Sequence, residues 1–197
     1  MTRGRKKQYQ KEEVLLKAMD VFWRKGYEGA HLKELVEHTG LNRFSLYSEF
    51  DGKEGLFCEA LDQYLVLARQ TYSQQLKRTP AHVNNIYQYF ASLDFGDEYH
   101  GCMMVNTLNN RHAVPEKAFV MVSDFIKWVR GLYLENLKAE VKCGRIIATS
   151  PIDLWCDLLL SFDVGLSVSG VPFNKMNSGE MAKQALDALL TTHRVSA

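Results

Sequence analysis

Arg43, Phe44, Ser45 and Tyr47 stand almost side by side in the first quarter of the chain, and their chemistry is that of nucleic-acid reading. A guanidinium can donate two hydrogen bonds to the O6/N7 edge of guanine, a phenyl ring can rest on a thymine methyl, and two hydroxyls can reach phosphates or base edges. Asn42, immediately before them, is a residue type that caps a helix or contacts a base. Two further cationic features flank this run. Arg3, Arg5, Lys6 and Lys7 fall within the first seven residues with no acid among them. Such an arm can lie along phosphates or in a minor groove, where charge neutralisation releases counterions, although it can equally be a solubilising tail. Lys53 follows the helix break at Asp51-Gly52, so it would sit in a first helical turn, where free backbone amides and an ammonium together can hold a phosphate oxygen.

These side chains are useful only if a rigid element presents them, and the apolar spacing supplies one. Val14, Leu15, Ala18, Met19 and Phe22 form a buried stripe on a helix from about Lys11 to Lys25, with Glu12 and Glu13 at its positive end and Gly26 stopping it. Leu32, Leu35 and Val36 mark a short second helix that closes at Thr39-Gly40. Asn42 starts a third, with Leu46 and Phe50 inward, and Asp51-Gly52 ends it. Two short helices joined by a glycine turn and braced by the longer helix before them make the helix-turn-helix arrangement, whose second short helix enters a major groove. The same pattern also occurs in all-α proteins that never touch DNA.

The residues go further than the pattern. The run Ala18 to Tyr27 (AMDVFWRKGY), the run Leu35 to Tyr47 (LVEHTGLNRFSLY) and the run Phe50 to Phe57 (FDGKEGLF) resemble the DNA-binding domain of the TetR family over roughly residues 4 to 60. The resemblance implies an all-α, dimeric regulator of transcription with a helix-turn-helix in residues 1–52 and a larger helical effector-binding and dimerisation bundle in 53–197, about nine helices in total. It implies that Arg43, Phe44, Ser45 and Tyr47 face a palindromic operator, with Lys33, Tyr47 and Lys53 near its backbone and Arg5 and Lys6 in a functional arm. Position 44 departs from the family, which usually has a small residue there. Repression relieved by a small molecule is the outcome the family implies.

Beyond Pro80 the chain reads as four or five more helices, broken near Gly96, at Ala113 to Pro115, at Gly144 to Pro151 and at Gly170 to Pro172. A fourth helix from Lys53 to about Lys77 would turn Leu56, Phe57, Ala60, Leu61, Tyr64, Leu67 and Ala68 inward. Gly101-Cys102-Met103-Met104-Val105-Asn106 resembles the opening of the sixth helix in one subgroup of the family. Cys102, Met103, Met104, Phe119, Phe125, Trp128, Trp155 and Phe162 are candidate pocket walls for an apolar or aromatic molecule, and equally plain core. A thiol at a helix start invites the alternative that Cys102 senses oxidants or electrophiles. Leu158, Leu159, Phe162, Leu166, Ala182, Leu186 and Leu189 on the last two helices exceed what a monomer's edge needs, which points to a four-helix interface between two copies.

Composition bounds the remaining choices. The 197 residues are 46% hydrophobic and 24% charged with a net charge of +1, as in ordinary globular chains. Residues 1–50 hold ten Lys/Arg against seven Asp/Glu, so the positive charge is concentrated where the reading residues lie. The most apolar run, Ile152 to Val171, is interrupted by Asp153, Asp157 and Asp163, so no membrane span is expected and the cytoplasm is the expected location. Four scattered cysteines make no disulfide or zinc framework, and His100, Cys102 and His112 fall short of a metal site. No phosphate loop, nucleophile elbow or carboxylate pair suggests catalysis or a cofactor. Two rivals remain: a helical enzyme or ligand-binding protein with an incidental helix-turn-helix, and a sequence-indifferent architectural DNA binder.

Overall fold

The structure, a computed structural model, describes residues 9–93, 99–169, 178–191 and 193. Arg5, Lys6, the breaks at Gly96 and Gly170 to Pro172, and the side chain of Ala182 lie outside the described residues. Within them are nine helices and no β-strand: α1 (Lys11–Gly29), α2 (Leu32–Thr39), α3 (Arg43–Phe50), α4 (Gly52–Leu76), α5 (Val83–Ala91), α6 (Met103–Asn109), α7 (Glu116–Lys142), α8 (Ile152–Ser169) and α9 (Ser178–Thr191). None of the described helices is long and apolar enough to cross a membrane.

By packing, the chain forms two compact units. One contains residues 1–66 and 106–122, the other 67–105 and 123–197. This division runs through α4, α6 and α7, whereas the apolar pattern suggests a boundary at Gly52; a helix that contributes to two cores carries no local break to mark the division.

In the first unit, α1 buries Val14, Leu15, Ala18 and Phe22 as expected, with Val21 buried as well and Met19 only half-buried. Phe22 meets Phe57 of α4 edge-on at 4.9 Å, and Trp23 meets Tyr64 at 5.2 Å. Such ring pairs add to the roughly 1.5–3 kcal/mol that burial of each large apolar side chain contributes. Gly26 leaves helical geometry (φ 70°), so α1 kinks where the sequence reading ended it and then continues for one short turn.

In the second unit the buried rings Tyr89, Phe90, Phe125 and Tyr133 form the core, joined by Ile86, Leu132 and Leu137. Asn136, fully buried, is satisfied on all sides: its Oδ1 accepts from the His82 amide and from Asn85, and its Nδ2 donates to the carbonyls of Leu76 and Leu132. That one side chain closes the end of α4 and the start of α5. The carboxylate of Glu140, beside it on α7, accepts from the Val83 amide and pairs with Arg145 at 2.7 Å.

Several expected faces change. Leu67, expected inward on α4, is 41% exposed, while Leu65 is buried, because the stripe advances by four residues from Leu61 to Leu65 rather than by three from Tyr64. Leu159, Leu166 and Leu186, expected at an interface between copies, are buried inside the single chain, and Phe162 packs on Phe90 at 5.4 Å. Of that set Leu158 is outward, and Leu154, Val164 and Val168 stand exposed with it on α8. The helix is apolar on most of its circumference, so periodicity could not separate its inner face from its outer one.

Candidate nucleic-acid interface

The presenting helix is set by its ends. Gly40 takes the left-handed conformation after α2 (φ 75°) and its amide donates to the Val36 carbonyl, while the Thr39 hydroxyl donates to the Leu35 carbonyl at 2.6 Å. This turn requires a residue without a Cβ penalty. Asn42 then caps α3: its Oδ1 accepts from the Ser45 amide at 2.8 Å. The cap occupies the oxygen of Asn42, so the side chain serves the helix start first. Leu46 and Phe50 are buried beneath α3, as expected from their spacing.

At the far end Asp51 adopts φ 58° and α4 begins at once. Gly55 makes that junction possible, because a Cβ there would lie 1.7 Å from the Phe50 carbonyl oxygen. The C-terminal turn of α3 and the first turn of α4 therefore approach more closely than any side chain would allow.

On this frame Phe44 is 82% exposed and Tyr47 52% exposed, with Arg43 also exposed and Ser45 half-buried. An aromatic ring left this open costs solvation free energy in the isolated chain, which is the usual mark of a contact surface. Arg43 has no ion pair among the described residues, so its guanidinium is not committed to an internal carboxylate. Lys33, on α2, has an 88% exposed side chain and only a loose 3.9 Å pairing with Glu37. Leu32, Lys33, Val36, Glu37 and Arg43 line an open recess of about 320 Å³ beside the start of α3. The apolar floor provided by Leu32 and Val36 was not foreseen as part of the site; their half-burial on an amphipathic helix gave no signal to distinguish groove from core.

Lys53 is less free than expected. Its ammonium donates to the Glu28 carbonyl at 3.4 Å and lies 4.6 Å from the Tyr27 ring centroid, and partial burial lowers its pKa against the opposing pull of Glu28. It braces α4 against the end of α1, and its charge remains near the reading helix. The candidate residues Arg43, Phe44 and Tyr47 are thus exposed together on a capped helix, with Lys33 on the preceding one, while Asn42 and Lys53 also hold the frame.

Part of the candidate pocket set lies around Tyr72, Tyr89 and Phe90: Phe125 and Trp128 beside Tyr72, Cys102 near it, and Phe162 against Phe90. Phe125 and Trp128 adjoin each other at 5.2 Å and Tyr72 meets both, but Trp155 faces His193 at 5.1 Å, and Phe119 belongs to the first unit, under the guanidinium of Arg111 at 4.3 Å. Cys102, Met103 and Met104 are buried. A buried thiol meets oxidants slowly.

Comparison with known proteins follows the same lines. Residues 14–60 match the family described as bacterial regulatory proteins, tetR family. The chain is 36% identical over 135 residues to the HTH-type transcriptional repressor ComR of Escherichia coli strain K12, an alignment that covers 59% of this chain and 64% of that repressor. It therefore spans just under two thirds of that relative's length. Among solved structures, the TetR family regulator CifR, a cysteine mutant complexed with 26-bp double-strand operator DNA, superposes with a TM-score of 0.76 at 27% identity, covering 95% of this chain and 98% of that one. A TetR family regulator from Cytophaga hutchinsonii has the same fold at a TM-score of 0.79 and 15% identity over 94% and 95% of the two chains. Over residues 14–60 the chain matches the tetR family of bacterial regulatory proteins, and its fold is the one seen in TetR family regulators.

Proposed function

We propose that this protein is a cytoplasmic transcriptional regulator, a repressor that binds a palindromic operator as a homodimer and is released by a small molecule. The observation that carries this reading is the uncommitted set on α3: Arg43, Phe44 and Tyr47 exposed together on a helix whose start is capped by Asn42 and whose underside is anchored by Leu46 and Phe50. Operator DNA in the CifR complex and repression in ComR are properties of those relatives that support it.

In this reading α3 lies in a major groove, Arg43 donates to a guanine edge, and Phe44 takes an apolar contact such as a thymine methyl. Ser45, Tyr47 and Lys33 reach base edges or phosphates, Lys53 contributes charge near the backbone, and Asn42 sets the register of the helix. Arg5 and Lys6 extend the contact as a basic arm. An effector held by the second unit lowers operator affinity by its preference for the conformation that fits the operator poorly, and by no more than that preference.

Selection of bound duplexes from random DNA at about physiological salt tests the proposal. Enrichment of a pseudo-palindrome with half-sites about 34–36 Å apart is expected. Uniform, salt-sensitive binding to every duplex would show an architectural binder instead, and no duplex affinity would leave the helix-turn-helix incidental.

A further inference from the structure

We propose that the carboxylate of Asp163, ringed by the hydroxyls of Tyr72, Tyr89 and Tyr133, anchors a binding site for an organic cation: an ammonium group, protonated or quaternary, on an apolar or aromatic body. The inference rests on the reading that the second unit holds an effector, and it replaces a neutral aromatic molecule by a positively charged one.

Four helices converge on this carboxylate. Tyr72 comes from α4, Tyr89 from α5, Tyr133 from α7 and Asp163 itself from α8. Oδ2 accepts from Tyr72 at 2.8 Å, Tyr133 at 3.0 Å and Tyr89 at 3.1 Å, whereas among the described residues Oδ1 accepts from Tyr89 alone, at 3.0 Å. Among these contacts one oxygen carries three and the other one. The hydroxyls hold the carboxylate in place, but none of them neutralises its charge.

The same unit shows how a buried carboxylate is ordinarily treated. Glu140, with a 3% exposed side chain, has Arg145 at 2.7 Å and His82 at 3.5 Å. Asp163 is just as buried and enters no ion pair among the described residues. A lone charge in such a place is costly, and an amide would satisfy the tyrosines without that cost. The missing partner is a cation.

The walls suit one. Tyr72 stacks on Tyr89 at 4.8 Å and turns its edge to Phe125 and Trp128. Phe125 and Trp128 already attract the Arg69 guanidinium, at 5.1 and 4.7 Å from their centroids. Tyr72 and Trp128 are only partly buried, so this aromatic wall reaches the surface on their side.

Burial raises the Asp163 carboxyl to about 6 while the three hydroxyls pull it back down, so it is ionised at neutral pH and largely protonated at pH 5. Cation binding favours the ionised form and must release protons at low pH.

The test titrates the full chain with benzylammonium and benzyltrimethylammonium, each followed by calorimetry and tryptophan fluorescence, beside the uncharged isostere 2,2-dimethylpropylbenzene. At pH 7.5 at least one cation is expected to bind about tenfold or more tightly than the isostere. Its affinity is expected to fall about tenfold between pH 7.5 and 5, the fraction of ionised Asp163 setting the binding-competent population. Asp163→Asn is expected to lose about tenfold in affinity; the isostere and pH comparisons need no variant. No binding by either cation, equal binding of the isostere, or binding indifferent to both pH and Asp163→Asn would overturn the site. Binding with all three dependences but without effect on the affinity for a selected duplex would leave the site standing and overturn its role as the effector site.

Discussion

Arg43 and Asp163 are opposite cases of one rule, that a charge in a folded chain is solvated, paired or put to use. Arg43 is exposed and unpaired, so replacing it should leave folding intact and change only recognition. Arg43→Ala is expected to cost about 1–3 kcal/mol per half-site and to relax preference at one base pair in each, measured by competition among selected duplexes. Unchanged preference would move the reading face elsewhere on α3. Asp163 is the reverse, a charge that the fold bears. Its carboxyl is raised to about 6 from an ordinary 3.8, so the folded state resists ionisation more than the unfolded one. Its contribution to stability is therefore greatest below about pH 3.8 and is lost as pH rises through 6, by about 3 kcal/mol for a shift of roughly two units. Urea midpoints of wild type and Asp163→Asn from pH 4 to 7.5 should diverge across that window, with the wild type the weaker at high pH. Parallel curves would assign the pH dependence to other groups. The sequence shows Asp163 only as an interruption of an apolar run, because nothing local reveals that three tyrosines, 30, 74 and 91 residues away along the chain, will meet it.

Helix ends, more than helix interiors, decide whether the reading residues stand in the right place. The turn at Gly40, the cap at Asn42 and the close approach at Gly55 fix the two ends of α3 within a stretch of sixteen residues. These devices are local, which is why α1 to α3 and the placement of Arg43, Phe44 and Tyr47 were legible from residue type and spacing alone. The pocket was not, since Phe119 and Phe125 sit on one helix, α7, yet belong to different cores, a fact that depends on long-range packing. Gly55→Ala tests the junction. A methyl group 1.7 Å from the Phe50 carbonyl oxygen cannot be accommodated by a flexible side chain, since the obstacle is backbone. Thermal unfolding should show a loss of about 2 kcal/mol or more, with duplex affinity reduced beyond what the lost stability explains, because α3 must shift relative to α4. Wild-type stability and affinity in this variant would show that the junction is loose and that α3 is held by Leu46 and Phe50 alone.

At the scale of the whole molecule, one reading helix is a weak device and two linked ones are a specific device. A single α3 offers three or four base-competent side chains, whereas a two-fold pair contacts two half-sites at once, and the second contact becomes intramolecular. The outer face of α8, where Leu154, Leu158, Val164 and Val168 are 55%, 43%, 38% and 54% exposed, is where such a pair is expected to form. At 100° per residue these four fall within about a third of the helix circumference, with Ser161 and Gly165 between them, so a second copy could approach closely along the stripe. Buried Leu159 and Leu166 occupy the opposite side and belong to the chain's own core. The two faces therefore predict different failures. Leu154→Glu with Leu158→Glu should give a folded monomer by sedimentation at micromolar concentration, with an unchanged helical spectrum and an operator affinity reduced by about 100-fold or more as the linkage between half-sites is lost. Leu159→Glu should instead unfold the second unit by placing a charge in its core. A dimer that survives the double substitution would place the interface elsewhere on the molecule.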